Sequence, residues 1–401
     1  MDIAKSSPMR NKVQTDYLQL ICDASAVLFV CVVYALSDTI NYFEVGTQTV
    51  FFTAVLINAY KKGYRVKMPI ILWGVTFFGF CFLSVFWAYY PEGLSDRMVP
   101  LLRAVLVVFT IPLYVNEKRE LDILLKAFIL GAVILLFRLL ITTPFNEWGT
   151  ERLGRGIGYN ANSVGLSFAY ASTICMYYAR NRKLYLFIFI IFALITLFSG
   201  SRKAFIWVLL TIAMFFFNRM KKPANVLYIF PFGLLVFLII YIAMNNPTLY
   251  EIMGKRIESL INMITGEGRV DSSIRKRMNM INTGMDLFKE NMLIGYGLDN
   301  YRHLSVYGKY SHNNYIELLV NYGIIGAALY YFLPVTMLFK AFGIWLHKTR
   351  EVFIAIIFIV LILINDYGLV SYYSLTTLSL ISISYCVISH ADTLIDKETA
   401  A

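Results

Sequence analysis

Leu184-Tyr-Leu-Phe-Ile-Phe-Ile-Ile-Phe-Ala-Leu-Ile-Thr-Leu-Phe-Ser199 contains no charged residue, and its reading decides the fold. Arg180, Arg182 and Lys183 precede it, and Arg202 and Lys203 follow it. A helix apolar all round is either buried in a large core or faces lipid. Working outward, similar runs of about 18–22 residues recur along nearly the whole chain, each long enough to cross a bilayer core of ~30 Å. They fall near 18–36, 40–60, 69–89, 98–115, 121–142, 160–179, 184–199, 203–218, 225–244, 322–342, 352–370 and 371–389. The last two are joined so tightly that eleven crossings is the competing count. The expected fold is therefore an all-α integral membrane protein of about twelve transmembrane helices, forming one polytopic domain over 1–401.

Composition agrees. Of 401 residues, 58% are hydrophobic and 15% charged, against roughly 25% charged in soluble domains. Mean hydropathy is +0.63. The net charge of +11 would raise nucleic acid as a partner in a soluble protein. Here the basic residues sit in short clusters between apolar runs, which is a topology signal, so no nucleic-acid partner is expected. The five cysteines (Cys22, Cys31, Cys81, Cys175 and Cys386) lie in or beside apolar runs without CxxC or Cys/His metal spacing. They read as small apolar core residues, and no metal or cofactor is expected. The basic N-terminus lacks a clear small-x-small cleavage site, which favours an uncleaved first helix over a signal peptide.

The connections alternate in character. One set carries Lys61, Lys62, Arg65 and Lys67; Lys118 and Arg119; Arg180, Arg182 and Lys183; Arg219, Lys221 and Lys222; and Lys340, Lys348 and Arg350. The positive-inside rule makes that set cytoplasmic. Both termini then lie in the cytoplasm, and 143–159, Ser199–Lys203 and a large loop, 245–311, lie outside. The loop holds nine Lys/Arg and seven Asp/Glu, so its charge is nearly balanced. Within it Met278, Ile281, Met285 and Phe288 recur at helical spacing, as do Ile257, Leu260, Ile261 and Ile264. Each set predicts an amphipathic helix on the outer membrane surface or capping the bundle.

The outer polar residues are the candidates for chemistry. Arg202 follows Gly200-Ser201; Arg275, Lys276 and Arg277 open an amphipathic helix; Arg152 and Arg155 sit in the 143–159 loop. Arg103 and Arg138 lie inside apolar runs, where a buried arginine needs a partner such as Asp366 or another acid. Several guanidinium groups on one face suit a phosphate or pyrophosphate. Taken singly, each of Arg97, Arg202 and Lys203 is equally a snorkelling anchor.

Next come Leu293-Ile-Gly-Tyr-Gly-Leu-Asp-Asn-Tyr301, Ser311-His-Asn-Asn-Tyr315 and Asn321-Tyr-Gly-Ile-Ile-Gly326. Gly295 and Gly297 permit a tight turn with close backbone approach. Ser311 is a suitable N-cap, which would put His312 in a first helical turn, where the helix dipole keeps imidazole neutral. A neutral histidine can act as a general base. Of the other histidines, His303 lacks that context, and His347 and His390 fall on the inner side. The tyrosines Tyr296, Tyr301, Tyr307, Tyr310 and Tyr315 suit sugar stacking or an interfacial aromatic belt.

The stretch 277–326 resembles the O-antigen ligase and Wzy-type polymerase family of bacterial envelope glycan enzymes. The resemblance lies in an arginine, an amphipathic helix, a Gly-x-Gly turn, a His-Asn pair, and Tyr-Gly-x-x-Gly opening a membrane helix. Gly200-Ser201-Arg202-Lys203 and Asn160-Ala-Asn162-Ser-Val-Gly165 resemble two further family features. The signature region is 277–343. Asn291-Met-Leu departs from the family, which often has a proline before the turn.

The resemblance implies metal-independent glycosyl transfer at the outer face of the cytoplasmic membrane. It implies a polyprenyl-pyrophosphate-linked oligosaccharide as donor, such as an undecaprenyl pyrophosphate glycan. Arg202 and Arg277 would hold the pyrophosphate, with Arg275 a rival for the second role, and His312 would take the acceptor proton. Arg155, Asn162, Gly295, Gly297, Asn313, Arg103 and Arg138 are the further candidate substrate-binding residues. Expected partners are the lipid-linked donor, a growing glycan or other acceptor, membrane lipids and a chain-length regulator protein. A polymerase building an O-antigen or capsule chain is the leading expectation. The alternatives are a ligase moving a finished glycan to a lipid or protein acceptor, and a lipid-linked oligosaccharide flippase.

Overall fold

In the computed structural model, the residues described are 16–36, 41–65, 67–91, 94–144, 148, 153–154, 160–219, 229–265, 272–346 and 350–400. The architecture is all-helical. The helices are α1 (Tyr17–Ala35), α2 (Asn41–Lys62), α3 (Met68–Leu83), α4 (Leu94–Tyr114), α5 (Lys118–Thr142), α6 (Ala161–Tyr178), α7 (Lys183–Phe198), α8 (Arg202–Arg219) and α9 (Ile229–Asn245). After the short α10 (Pro247–Leu249) come α11 (Lys255–Thr265), α12 (Ser272–Glu290), α13 (Asn300–Leu304), α14 (Asn314–Leu346), α15 (Phe353–Asp366) and α16 (Leu375–Ala400). Each of the twelve expected apolar runs holds a helix. Among the described residues, five stretches are long and apolar enough to cross a bilayer by that measure alone: α1, α3 extended to Trp87, α4 from Arg97, α5 and α14. The chain is an integral membrane protein.

Helix α7 shows why this sequence needs lipid. Phe189, Phe192, Ile195 and Thr196 recur at helical spacing and are buried against neighbours. The opposite face presents Leu184, Phe187, Ile190 and Leu194, all exposed. A soluble helix would be polar there; a lipid-facing one has nothing to gain from it. Small residues set the close approaches between helices. A Cβ on Gly165 of α6 would lie 2.4 Å from Ser199 Oγ, 2.9 Å from Ser201 Cβ and 3.0 Å from Ala204 Cβ. That glycine seats α6 directly against the α7–α8 corner that carries Arg202. Gly131 does the same for α5 against Tyr34 of α1.

The polar contacts separate into two ends. At one, Lys62 pairs with Asp16 at 2.7 Å, Arg119 with Asp23 at 2.7 Å, Lys340 with Asp392 at 2.6 Å, and Lys118 with Glu351. At the other, Arg97 pairs with Asp299 at 3.0 Å, and the Tyr90 N–H donates to Asn300 Oδ1 at 2.8 Å. These ends hold the two sets of connections that the charge pattern distinguishes.

The segment after α9 is built rather than loose. Helix α11 forms where expected. Helix α12 packs on the start of α14 through Met280, Tyr301, Ile316 and Val320. Gly284 makes room, since a Cβ there would meet Ile316 Cγ2 at 2.2 Å. Helix α14 is two helices divided at Gly323, whose φ of 65° and ψ of −168° are not helical. Residues 292–297 lie against the break. Tyr296 N–H donates to Val320 O at 2.9 Å and Gly297 N–H to Asn321 O at 2.7 Å; Ile324 N–H returns a bond to Met292 O at 2.8 Å. The carbonyls and amides freed by the break are thereby satisfied, as a membrane interior demands.

Candidate active site

His312 sits in a turn that its neighbours over-determine. Its φ is +59°, the left-handed region. Ser311 Oγ donates to Asn313 O at 2.7 Å and accepts the Asn313 N–H at 3.2 Å. Glu317 Oε2, one turn into α14, accepts the Ser311 N–H at 2.7 Å. Asn313 Oδ1 accepts the Ile316 N–H at 3.1 Å, so Asn313 is the N-cap of α14. This corrects the expectation for Ser311: it ties the turn, and His312 stands before the helix rather than in its first turn. The imidazole is neutral for a different reason as well. Partial burial, reinforced by the positive charges of Arg277, Lys309, Lys203 and Lys276, pushes its pKa down from 6.5 to about 4. The Tyr310 ring lies 4.3 Å from it, centroid to centroid.

His312 opens onto a cavity of about 240 Å³. Arg202 and Lys203 reach it from the start of α8, Arg277 from α12, and Asn365 and Gly368 from the α15–α16 corner. The remaining wall is apolar: Ile206, Trp207 and Leu210 on α8, Ile274, Met278 and Ile281 on α12, and Leu361 and Ile364 on α15. Arg202 Nη2 donates to Ser273 Oγ at 3.1 Å, which links α8 to α12. The chamber thus has two guanidinium groups, a lysine amine and an imidazole on largely apolar walls. Such an arrangement favours an anion attached to an apolar chain.

Behind the cavity lies a buried polar network. Asp366 Oδ2 accepts from Tyr331 OH at 2.8 Å and Asn314 Nδ2 at 3.1 Å, and Oδ1 accepts from Ser371 Oγ at 2.6 Å. Asn314 Oδ1 accepts the Ser371 N–H at 2.9 Å. These bonds fasten the α15–α16 corner to the first turn of α14. Lys203 is wedged there too, since a Cβ on Gly368 would lie 2.6 Å from its Cε.

Of the residues singled out from sequence, Arg202, Arg277 and His312 meet at this cavity. Arg275 is exposed on α12 and does not line it. Gly295 (φ +65°) and Gly297 (φ +93°) shape the strap against the α14 break. A Cβ on Gly295 would lie 2.5 Å from Tyr322 N. Asn313 is buried in its capping role. The Asn162 N–H donates to Asn160 Oδ1 at 2.9 Å, a cap at the start of α6 away from the cavity lining. Arg103 is engaged elsewhere, with Glu44 Oε2 at 2.6 Å and Gln48 Oε1 at 3.0 Å. Arg138 donates to Ala35 O. Asp366 is therefore bound by Asn314, Tyr331 and Ser371 and not by either of these arginines. Arg155, like Arg152, lies outside the described residues. Lys203 and Asn365 were missed as site residues. The usable signal was the Asn-Asp pair ending an otherwise apolar helix, since polar groups at membrane depth mark function.

The O-antigen ligase family model matches residues 187–331. Over that stretch the chain is similar to the O-antigen ligase family. The matched stretch runs from α7 into α14 and contains Arg202, Lys203, Arg277 and His312, whereas Asn365, Asp366 and Gly368 lie beyond it. No curated protein matches the chain.

Proposed function

We propose that this chain is a metal-independent glycosyltransferase. It would join oligosaccharide repeat units, each carried on a polyprenyl pyrophosphate, into a surface polysaccharide at the outer face of the cytoplasmic membrane. The reading rests on one observation: Arg202, Lys203, Arg277 and His312 converge on a single cavity whose other walls are largely apolar. A cavity of about 240 Å³ is smaller than the ~300 Å³ at which ordinary ligand pockets begin. It suits a pyrophosphate head, with the glycan outside it and the polyprenyl chain along Ile206, Leu210, Leu361 and Ile364.

In the reaction, an acceptor hydroxyl attacks the anomeric carbon of the donor sugar. The bond from that carbon to the phosphate oxygen breaks, and the electron pair leaves with the pyrophosphate. Arg202, Arg277 and Lys203 meet the charge that develops on the leaving group. The hydroxyl proton passes to a ring nitrogen of His312. The low pKa of His312, set by burial and the neighbouring cations, fits this order of events. A bound pyrophosphate offsets the surrounding cations and raises the basicity of the imidazole, so the base gains strength when the donor is in place.

The description of the matched family favours a second reading, ligase-type transfer of a finished glycan to a lipid or protein acceptor. Reconstitution with a lipid-linked repeat unit and no other acceptor separates the two. Long chains are expected from a polymerase. Transfer only when a different acceptor is supplied would assign the ligase reaction, and failure with every lipid-linked donor would remove both.

A further inference from the structure

The opposite end of the molecule holds a second cavity with its own chemistry, about 200 Å³ in volume. Arg65 and Lys67 reach it from the α2–α3 connection, Lys118 from the start of α5, and Ser389 and His390 from α16. The floor is apolar, with Pro112, Val115, Leu121, Tyr385 and Cys386. Glu117 is the one carboxylate among the lining residues, and it already caps α5. Lys118 is paired with Glu351. Lys67, itself exposed, donates from Nζ to Ser389 O at 3.2 Å, which places its ammonium beside α16. Arg65 is exposed at the mouth.

We infer that this cavity binds the phosphodiester headgroup of an anionic phospholipid, seated between the α2–α3 connection, α5 and α16. Two features separate it from the first cavity. Arg65, Lys67 and Lys118 are exposed at the rim, and Pro112, Tyr385 and Cys386 are buried beneath them. That order, charge outside and apolar groups within, matches a lipid headgroup with its glycerol and upper acyl carbons. A basic pocket between membrane helices is the recognised form of such a site. Helix α4, which contributes Pro112, packs against α16, so an occupant would brace that helix pair at the end remote from His312.

The test uses the purified full chain in neutral detergent, followed by native mass spectrometry and thermal melting. The additives are phosphatidylglycerol, phosphatidylcholine or inorganic phosphate. Phosphatidylglycerol should be retained and should raise the melting temperature saturably, and phosphatidylcholine and phosphate should not. Arg65→Ala/Lys67→Ala should weaken phosphatidylglycerol retention by roughly thirtyfold, taking about 1 kcal/mol for each cation near the headgroup. Arg65→Glu, on an exposed loop residue, is the control that keeps the fold should the double variant not express; it too should lose retention. Equal retention of both lipids, or unchanged phosphatidylglycerol binding in either variant, would overturn the site. An equal shift with inorganic phosphate would overturn its assignment to a lipid.

Discussion

The Glu317 carboxylate accepts the Ser311 N–H at 2.7 Å across the turn that carries His312. A buried acid on α14 therefore sets where the imidazole stands, with Ser311 closing the turn from the other side. Replacing Glu317 by Ala leaves a buried donor without its acceptor, at a cost of about 1–3 kcal/mol. We expect a lower melting temperature together with loss of long-chain glycan. Glu317→Gln keeps an acceptor oxygen and should recover most of the stability. Glycan synthesis undiminished in Glu317→Ala would show that the turn does not need this bond.

The pH response of His312 follows from its surroundings. Its folded pKa is about 4 against an ordinary 6.5. Folding thus favours the neutral ring, and the resulting contribution to stability is present above the unfolded value. It is lost as pH falls from 6.5 towards 4. An NMR titration of the detergent-solubilised protein should find one histidine still neutral at pH 5.5. Inorganic pyrophosphate should move that transition upward. An ordinary titration near 6.5, unmoved by pyrophosphate, would contradict the coupling proposed between donor and base.

Arg202→Ala and Arg277→Ala each remove one donor to the leaving group. By analogy with removal of a single oxyanion donor, each should raise the barrier by about 2.7–4 kcal/mol, or a loss of roughly 10²–10³ in turnover. Lys203→Met keeps the length of the stem, so its packing against Gly368 survives while the charge is lost. It should reduce turnover without lowering expression. Arg275→Ala, on an exposed residue outside the cavity, should change turnover little. Turnover of lipid-linked donor by each variant is the measurement, and an Arg275 effect equal to that of Arg277 would reassign the clamp.

Gly323→Ala should damage the fold itself. The residue has φ +65°, and a Cβ would sit 2.2 Å from Leu293 O. With ψ at −168° the residue lies in a backbone region essentially confined to glycine, which costs about 1–3 kcal/mol for a residue bearing a Cβ, and the clash with the 292–297 strap adds to it. Folded yield after detergent extraction should fall. A normal yield and melting temperature would mean that the strap can shift at little cost.

A reporter fused within 245–311 is expected to lie outside the cytoplasm, and fusions after Arg182 or at Lys340 inside. A cytoplasmic signal from the first would reverse the proposed orientation and, with it, the face at which the donor is used.

Much of this was open to reading along the chain. The alternation of apolar runs with Lys/Arg clusters is a local property, because each crossing segment must satisfy its own backbone bonds and be apolar over ~30 Å. All twelve runs accordingly hold helices. The helix that carries Arg277 was likewise legible, though it begins at Ser272 and so places Arg277 in its second turn, as were the positive-φ glycines at 295 and 297, since periodicity and the absence of a Cβ act within a few residues. Arg202, Arg277 and His312 could be nominated because outer-facing guanidinium groups suit a pyrophosphate, a histidine beside a helix start stays neutral, and the resemblance to O-antigen ligases marks those positions. Their meeting at one cavity was beyond the sequence: more than a hundred residues separate Arg202 from His312, and only the packing of α8, α12 and α15 brings them together. The fate of Arg103 and Arg138 was equally hidden, because the partner of a buried cation depends on which helix lies alongside. Here the partners are Glu44 and Gln48 on α2 and the Ala35 carbonyl on α1. The break at Gly323 and the tie from Glu317 to Ser311 also belong to the folded chain. Composition fixes which segments enter the membrane because lipid tests each segment alone; the site is decided by neighbours, and those exist only once the helices have packed.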